Sequence, residues 1–261
     1  MPAEFGQENL FMQMPVFEAP EEKNRLLILR AWAVHFYTSL GLVLGYLALL
    51  AIFNDQPLQA AIYLGIAALI DGTDGLLARR CEVHRWTPNF DGRKLDDIID
   101  YLNYVLIPIY AAYHFEIVTG PWVWTLPFAL VAAIYGFSSD GAKTADGYFT
   151  GFPNYWNGLV FYMWLLKMPN WANGLLFIFF GVMVFVPIKY IYLSQTIHYR
   201  KLNVVLTVIW LAMVAEIVRN FFNPNPLLVW ASLFFPAYYF AMSFYIHFRK
   251  DKRPLNPEIV D

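Results

Sequence analysis

Eight apolar runs dominate the chain, at about residues 31–53, 58–79, 94–115, 121–139, 154–168, 171–191, 202–222 and 226–247. Most approach the roughly 20 helical residues that cross a hydrocarbon core. They use up most of the 261 residues, so no sizeable soluble domain remains. Composition agrees: hydrophobic residues are 59%, charged residues only 15%, and mean hydropathy is +0.44. A soluble domain carries closer to a quarter charged residues. The expected fold is an all-α integral membrane protein of about eight transmembrane helices.

The basic residues orient this bundle. With an even number of spans, all of the 18 Lys and Arg except Lys167 and Arg219 fall on the side that holds both termini. By the positive-inside rule that side is cytoplasmic. Residues 1–26 read as a tail or interfacial helix, 27–248 as the transmembrane domain and 249–261 as a cytoplasmic tail. The segment "ENLFMQ" at 8–13 resembles a tag-cleavage site, which makes Met14 an alternative natural start. No charged n-region leads into an apolar h-region, so no cleavable signal peptide is expected. The single cysteine, Cys81, excludes an intrachain disulfide and a metal-thiolate site. No Ser-His-Asp set, Gly-rich phosphate loop or internal repeat stands out.

Against this apolar background, the stretch Leu69–Tyr110 holds Asp71, Asp74, Asp96, Asp97 and Asp100. Asp71 and Asp74 are i and i+3 on the second run; Asp96 and Asp100 are i and i+4 on the third. Both spacings place a pair on one helix face. The short linker makes the two helices antiparallel neighbours, so the faces can meet near headgroup depth. Four carboxylates there need protons or metal ions to compensate them. Oxygen-only ligation points to Mg²⁺, Mn²⁺ or Ca²⁺, and paired metals are a recurring device for displacement at phosphorus. Asp96 and Asp97 alone could merely cap a helix or face water. Asp71 and Asp74 are harder to dismiss, because the macrodipole disfavours anions at a helix C-terminus and membrane spans bury charge for function. Gly72, Gly75 and Ala78 leave a smooth surface that ends in Arg79, suited either to a phosphorylated ligand or to helix packing.

The pattern Asp71-x2-Asp74-Gly75-x2-Ala78-Arg79 … Gly92-x3-Asp96-x3-Asp100 resembles the signature of the CDP-alcohol phosphatidyltransferases. Those membrane enzymes exchange CMP on a CDP-activated lipid or alcohol for another alcohol. The gap before Gly92 is longer than usual, as in the bacterial phosphatidylcholine synthases of that family. The segment "SDGAKTADGYFTGFPNYWN" at 139–157 looks like their counterpart of a loop in related phosphatidylserine synthases.

The resemblance implies that Asp71, Asp74, Asp96 and Asp100 hold two divalent cations, Mg²⁺ or Mn²⁺, against the pyrophosphate of CDP-diacylglycerol. Asp100 is then also the base for the incoming hydroxyl. Gly75, Ala78, Arg79 and Gly92 would line the cytidine diphosphate site. Lys143 and Asp146 share the loop at 140–153, which reads either as a solvated polar loop or as a contact with the CDP-lipid phosphate or the acceptor. The acceptor implied is choline, whose quaternary ammonium donates no N–H bond and is best met by aromatic faces. Tyr104, i+4 from Asp100, and Tyr135, Tyr148, Tyr155 and Trp156 are the candidates, although aromatic belts at interfaces are ordinary. The partners implied are CDP-diacylglycerol, choline and membrane lipids, with no nucleic acid, in a homodimer in the bacterial inner membrane. Glu216 and Arg219 read as a structural pair and His35 as a packed or water-facing histidine. A transferase using serine is a second reading. A cation-coupled transporter is a third, against which stands the position of the carboxylates at one end of their spans.

Overall fold

The computed structural model describes residues 22–139, 141–142, 144, 147–192 and 200–249, and is built almost wholly of helices. Helices α1 (Glu22–Phe53) and α2 (Pro57–Arg80) form the most extensive helix pair. Asp55 turns the chain between them at φ 56°, and Pro57 opens α2, where its missing N–H costs nothing.

The insert after α2 folds back onto α1. A one-turn helix, α3 (Val83–Trp86), seats Val83 against Ala31 and Val34. His35 Nε2 and Thr87 Oγ1 share a 2.9 Å hydrogen bond, and the Phe90 ring lies 4.4 Å from that of His35. His35 is therefore a packed histidine. Asp91 then caps α4 (Gly92–Asp100), its carboxylate accepting the Lys94 N–H at 3.0 Å.

From Asp100 the helix continues as a π-helical turn, Tyr101–Leu106, into α5 (Ile107–His114). The Ile107 N–H reaches back five residues to the Leu102 carbonyl. Pro108 accounts for the widening: it has no N–H to give to the turn before it, and its ring crowds that turn. A 3₁₀ turn at Gly120–Trp124 then starts α6 (Thr125–Ser138).

The rest runs β1 (Tyr148–Thr150), α7 (Trp156–Leu166), α8 (Asn170–Phe185), β2 (Lys189–Ile191), α9 (Arg200–Arg219), α10 (Pro226–Ser232) and α11 (Phe234–Phe248). The largest core cluster joins α5, α6, α7 and α8 around Trp156, Phe177, Met163 and Val105. Exposed apolar side chains such as Phe36, Val131, Phe179 and Val208 cover the outer faces, as a lipid solvent allows.

Among the described residues, five helical stretches are long and apolar enough to cross a membrane: Asn24–Phe53, Pro57–Arg80, Gly120–Ser138, Lys201–Arg219 and Pro226–Phe248. The chain is an all-α, multi-pass membrane protein. Of the other expected spans, the third is helical over Gly92–His114, and the fifth and sixth are the shorter helices α7 and α8. The sixth was expected to run to 191 but ends at Phe185. Pro187 stops it, and β2 pairs antiparallel with β1, Phe149 opposite Tyr190. Gly151, at φ 80°, lies against the Val184 carbonyl where any Cβ would collide. The eighth run breaks at Leu233, because Pro236 cannot bond back to Ser232.

Candidate active site

Two helix faces and one wall of α1 build the site. Asp71 and Asp74 come from α2, Asp96 and Asp100 from α4, and all four line one small cavity with Thr38, Gly41, Asn103 and Tyr104. Carboxylate oxygens of Asp71, Asp96 and Asp100 lie within 4.8 Å of one another. At an effective dielectric of about 20, each ionised pair at that separation repels by on the order of 3 kcal/mol. The cluster is chemically suited to hard cations, which oxygen donors take in preference to softer metals.

Asp74 stands apart. It is buried, and its Oδ2 accepts a 2.8 Å hydrogen bond from the Thr38 hydroxyl of α1. Asp71 is tied differently: the Tyr104 hydroxyl donates to its Oδ2 at 2.7 Å. Tyr104 lies on the π turn one step beyond Asp100, so one helix carries both a member of the cluster and the group that orients another.

Behind Tyr104 stands an aromatic wall. The Tyr104 and Tyr155 rings meet edge to face at 6.4 Å, and those of Tyr155 and Tyr239 at 5.8 Å. Asp71 and Asp100 are near enough to Tyr155 to act on it electrostatically. Tyr239 donates to the Ile191 carbonyl at 3.0 Å, which fixes the wall to the β ribbon.

The remaining expected residues are placed as follows. Beside Gly72 no other group comes within 4 Å of an added Cβ, and beside Gly75 only the Arg79 guanidinium does, at 3.5 Å. Among the described residues, this small surface on α2 is thus open rather than occupied by a neighbouring helix. Arg79 is exposed at the end of α2, and Ala78 packs at the edge of the Ala31–Val34–Val83 cluster. Gly92 gives way to His35, whose Cε1 would lie 2.8 Å from an added Cβ. Tyr104 and Tyr155 are brought to the aspartates. Tyr135 is half exposed and faces Phe185. Tyr148 sits in β1 beneath the Lys189 ammonium. Trp156 is fully buried, stacked on Phe177 with its Nε1 donating to Asn154. Asp97 lies outside the cavity lining. Lys143 and Asp146 lie outside the described residues. Glu216 and Arg219 do pair, at 3.4 Å and exposed.

Thr38, Asn103 and Tyr239 escaped the sequence reading. A signal existed for the first two: each is a polar residue inside a membrane-length apolar run, where polarity has a cost.

The all-α membrane bundle with four aspartates on two neighbouring helices, spaced i,i+3 and i,i+4, is the arrangement that the resemblance to the CDP-alcohol phosphatidyltransferases implies. No protein-family model matches the chain. Curated relatives do. A phosphatidylcholine synthase of Pseudomonas aeruginosa is 35% identical over 189 residues, covering 70% of this chain and 77% of the relative. One of Borreliella burgdorferi is 37% identical over 188 residues, covering 72% and 80%. One of Legionella pneumophila is 34% identical over 228 residues, covering 82% and 88%. The chain belongs to the phosphatidylcholine synthase family.

Proposed function

We propose that the protein transfers the phosphatidyl group of CDP-diacylglycerol to choline and releases CMP. The observation that carries this reading is the meeting of Asp71, Asp96 and Asp100 in one cavity with Asp74, in a chain of this family.

The donor set fits divalent cations: oxygen-only, acidic and already convergent. Asp71, Asp96 and Asp100 would hold them with Asp74, whose Thr38 bond sets its orientation. Two bound Mg²⁺ or Mn²⁺ ions supply charge compensation for the carboxylates and polarisation of the pyrophosphate oxygens. Asp100 takes the hydroxyl proton of choline as general base. The choline oxygen then forms the new bond to the phosphatidyl phosphorus, and the bond from that phosphorus to the CMP oxygen breaks. Gly75, Ala78, Arg79 and Gly92 form the cytidine diphosphate side. The open surface of α2 at Gly72 and Gly75 supports close approach of the nucleotide there.

Choline spans about two bonds between its hydroxyl carbon and its nitrogen, so a hydroxyl at Asp100 places the trimethylammonium beside Asp100's neighbours. Tyr104, hydrogen-bonded to Asp71, and Tyr155, whose ring meets that of Tyr104, are the aromatic faces that support a choline site there. Charge distribution supports placing both termini on the cytoplasmic side of the bacterial inner membrane. A homodimer is the form the family resemblance implies.

The test is CMP release from CDP-diacylglycerol with a panel of alcohols, with and without Mg²⁺ or Mn²⁺. Release with choline that stops in chelator supports the reading. Release only with serine moves the acceptor, and no release with any alcohol overturns the enzyme assignment.

A further inference from the structure

We infer that Asn103 is a positioning residue of this active site, which acts by fastening the π turn that carries Asp100 and Tyr104 onto a two-glycine step of α1. The inference rests on the proposed transferase reading for its assay, though not for its geometry.

Asn103 is buried, 5% exposed, in the middle of the π turn. A buried amide in that setting needs partners. Its Nδ2 donates to the Gly41 carbonyl of α1 at 2.9 Å. That carbonyl is also the one to which the α-helical pattern assigns the Gly45 N–H, so Asn103 uses its second lone pair. The Asn103 Oδ1 has no hydrogen-bond partner among the described residues. It instead occupies the place where a side chain at Gly45 would begin. The amide therefore spans the Gly41–Gly45 turn, its N–H bonded to one residue and its carbonyl oxygen set against the other. Gly41 is close for the same reason: an added Cβ would come within 3.0 Å of Ile99 Cγ2.

"GLVLG" at 41–45 has the spacing that commonly brings two membrane helices together. Here the chain spends that surface on its own π turn. The consequence reaches the chemistry because Gly41, Asn103, Tyr104 and all four aspartates line the same cavity. Asp100 lies three residues before Asn103, and Tyr104, which orients Asp71, directly follows it. A π turn departs from the α-helical register, usually at functional sites, so a hydrogen bond from within it to a neighbouring helix gives that register a fixed point. The Asn103 amide supplies that fixed point, so both the Asp100 carboxylate and the Tyr104 hydroxyl inherit their positions from it.

The test is a double-mutant cycle in the full-length protein, purified in detergent or nanodiscs, with Asn103→Ala, Gly45→Ala and the pair. Three readouts are taken: Mn²⁺ affinity by electron paramagnetic resonance, kcat and KM for choline, and the thermal midpoint in chelator. Asn103→Ala should lower kcat and Mn²⁺ affinity by about 10- to 100-fold, as loss of support for metal-site groups does, with choline KM changed less than about threefold. Gly45→Ala should reproduce the defect by displacing the amide. The pair should be milder than the product of the singles, because the collision is gone once Oδ1 is removed. Wild-type kcat and Mn²⁺ affinity in Asn103→Ala would overturn the inference. So would strictly multiplicative effects, or a lowered thermal midpoint with Mn²⁺ affinity intact. Should Asn103→Ala fail to fold, Gly45→Ala alone must show the Mn²⁺ defect, and normal Mn²⁺ binding in it overturns the inference. A wild-type protein that releases no CMP refutes the transferase reading while leaving the Mn²⁺ arm to decide this one.

Discussion

Tyr104 and Asp71, 33 residues apart and on different helices, are joined by a 2.7 Å hydrogen bond from the phenol to the carboxylate Oδ2. The bond ties the π turn to α2 at the centre of the acidic cavity. It also gives Tyr104 two separable parts: a hydroxyl that orients Asp71 and a ring that faces Tyr155.

Tyr104→Phe separates them. The ring remains and the donor is lost, so Asp71 keeps its charge but loses its orientation. Turnover and Mn²⁺ affinity should fall by about 10- to 100-fold, with choline KM little changed. Tyr104→Leu should raise choline KM as well. Steady-state kinetics with Mn²⁺ titration checks both; equal KM increases in the two variants would show that the hydroxyl, not the ring, contacts choline.

Repulsion within the cluster predicts an inverted stability effect. Without metal, removing one carboxylate of Asp71, Asp96 and Asp100 relieves like-charge contacts within 4.8 Å. Asp96→Asn should therefore raise the thermal midpoint in chelator by about 2–4 °C, which corresponds to about 1 kcal/mol in a protein of this size. It should also abolish CMP release and shrink the stabilisation that Mg²⁺ or Mn²⁺ gives the wild type. A lowered midpoint in chelator would show that Asp96 is held by its neighbours rather than strained against them.

Trp156→Ala distinguishes a core residue from a ligand contact. Trp156 is fully buried on Phe177 and its indole N–H is taken by Asn154. Its truncation should cost about 3–5 kcal/mol of stability, and the folded remainder should keep its choline KM. Thermal unfolding together with kinetics decides this; an unchanged midpoint with a raised KM would return Trp156 to the acceptor site.

What the sequence disclosed depended on periodicity. The helix period alone placed Asp71 with Asp74 and Asp96 with Asp100, and the short linker brought the pairs together as found. The same logic could not place Trp156, because an aromatic near a span end looks alike whether it faces core, lipid or ligand; the structure stacks it, fully buried, on Phe177. The π turn was hidden: Tyr104 is i+4 from Asp100 in either helix type, and only Pro108 hinted at a widened turn. Thr38 could not be assigned to Asp74 from sequence, since the meeting depends on the rotation of α1 against α2. The β ribbon escaped because strands of three residues carry no usable alternation, and Lys189–Ile191 continued an apolar run.

Gly75→Ala tests whether the bare face of α2 serves a ligand. A methyl there would meet only the Arg79 guanidinium at 3.5 Å, an ordinary contact. Stability should be unchanged or slightly raised, as alanine favours helix over glycine by about 0.8–1 kcal/mol. KM for CDP-diacylglycerol should nevertheless rise several-fold, on the order expected when about one methyl crowds a fitted site. An unchanged KM would mean that the nucleotide does not approach this face.

The aromatic wall makes the sharpest claim about the acceptor. Cation–π attraction of about 0.5–2 kcal/mol corresponds to roughly a 2- to 30-fold change in affinity for choline. Tyr155→Leu removes the face nearest Tyr104 while leaving the aspartates in place, so choline KM should rise within that range and kcat should change less. Tyr155→Phe keeps the face and loses only the hydroxyl, so its KM should stay near wild type. Charge specificity supplies the control. 3,3-Dimethyl-1-butanol has the shape of choline without its charge, and cation–π binding makes the wild type prefer choline over it. That preference should collapse in Tyr155→Leu and survive in Tyr155→Phe. If Tyr155→Leu keeps the full preference, the trimethylammonium is recognised elsewhere, and Tyr155 serves only to hold Tyr104 in place.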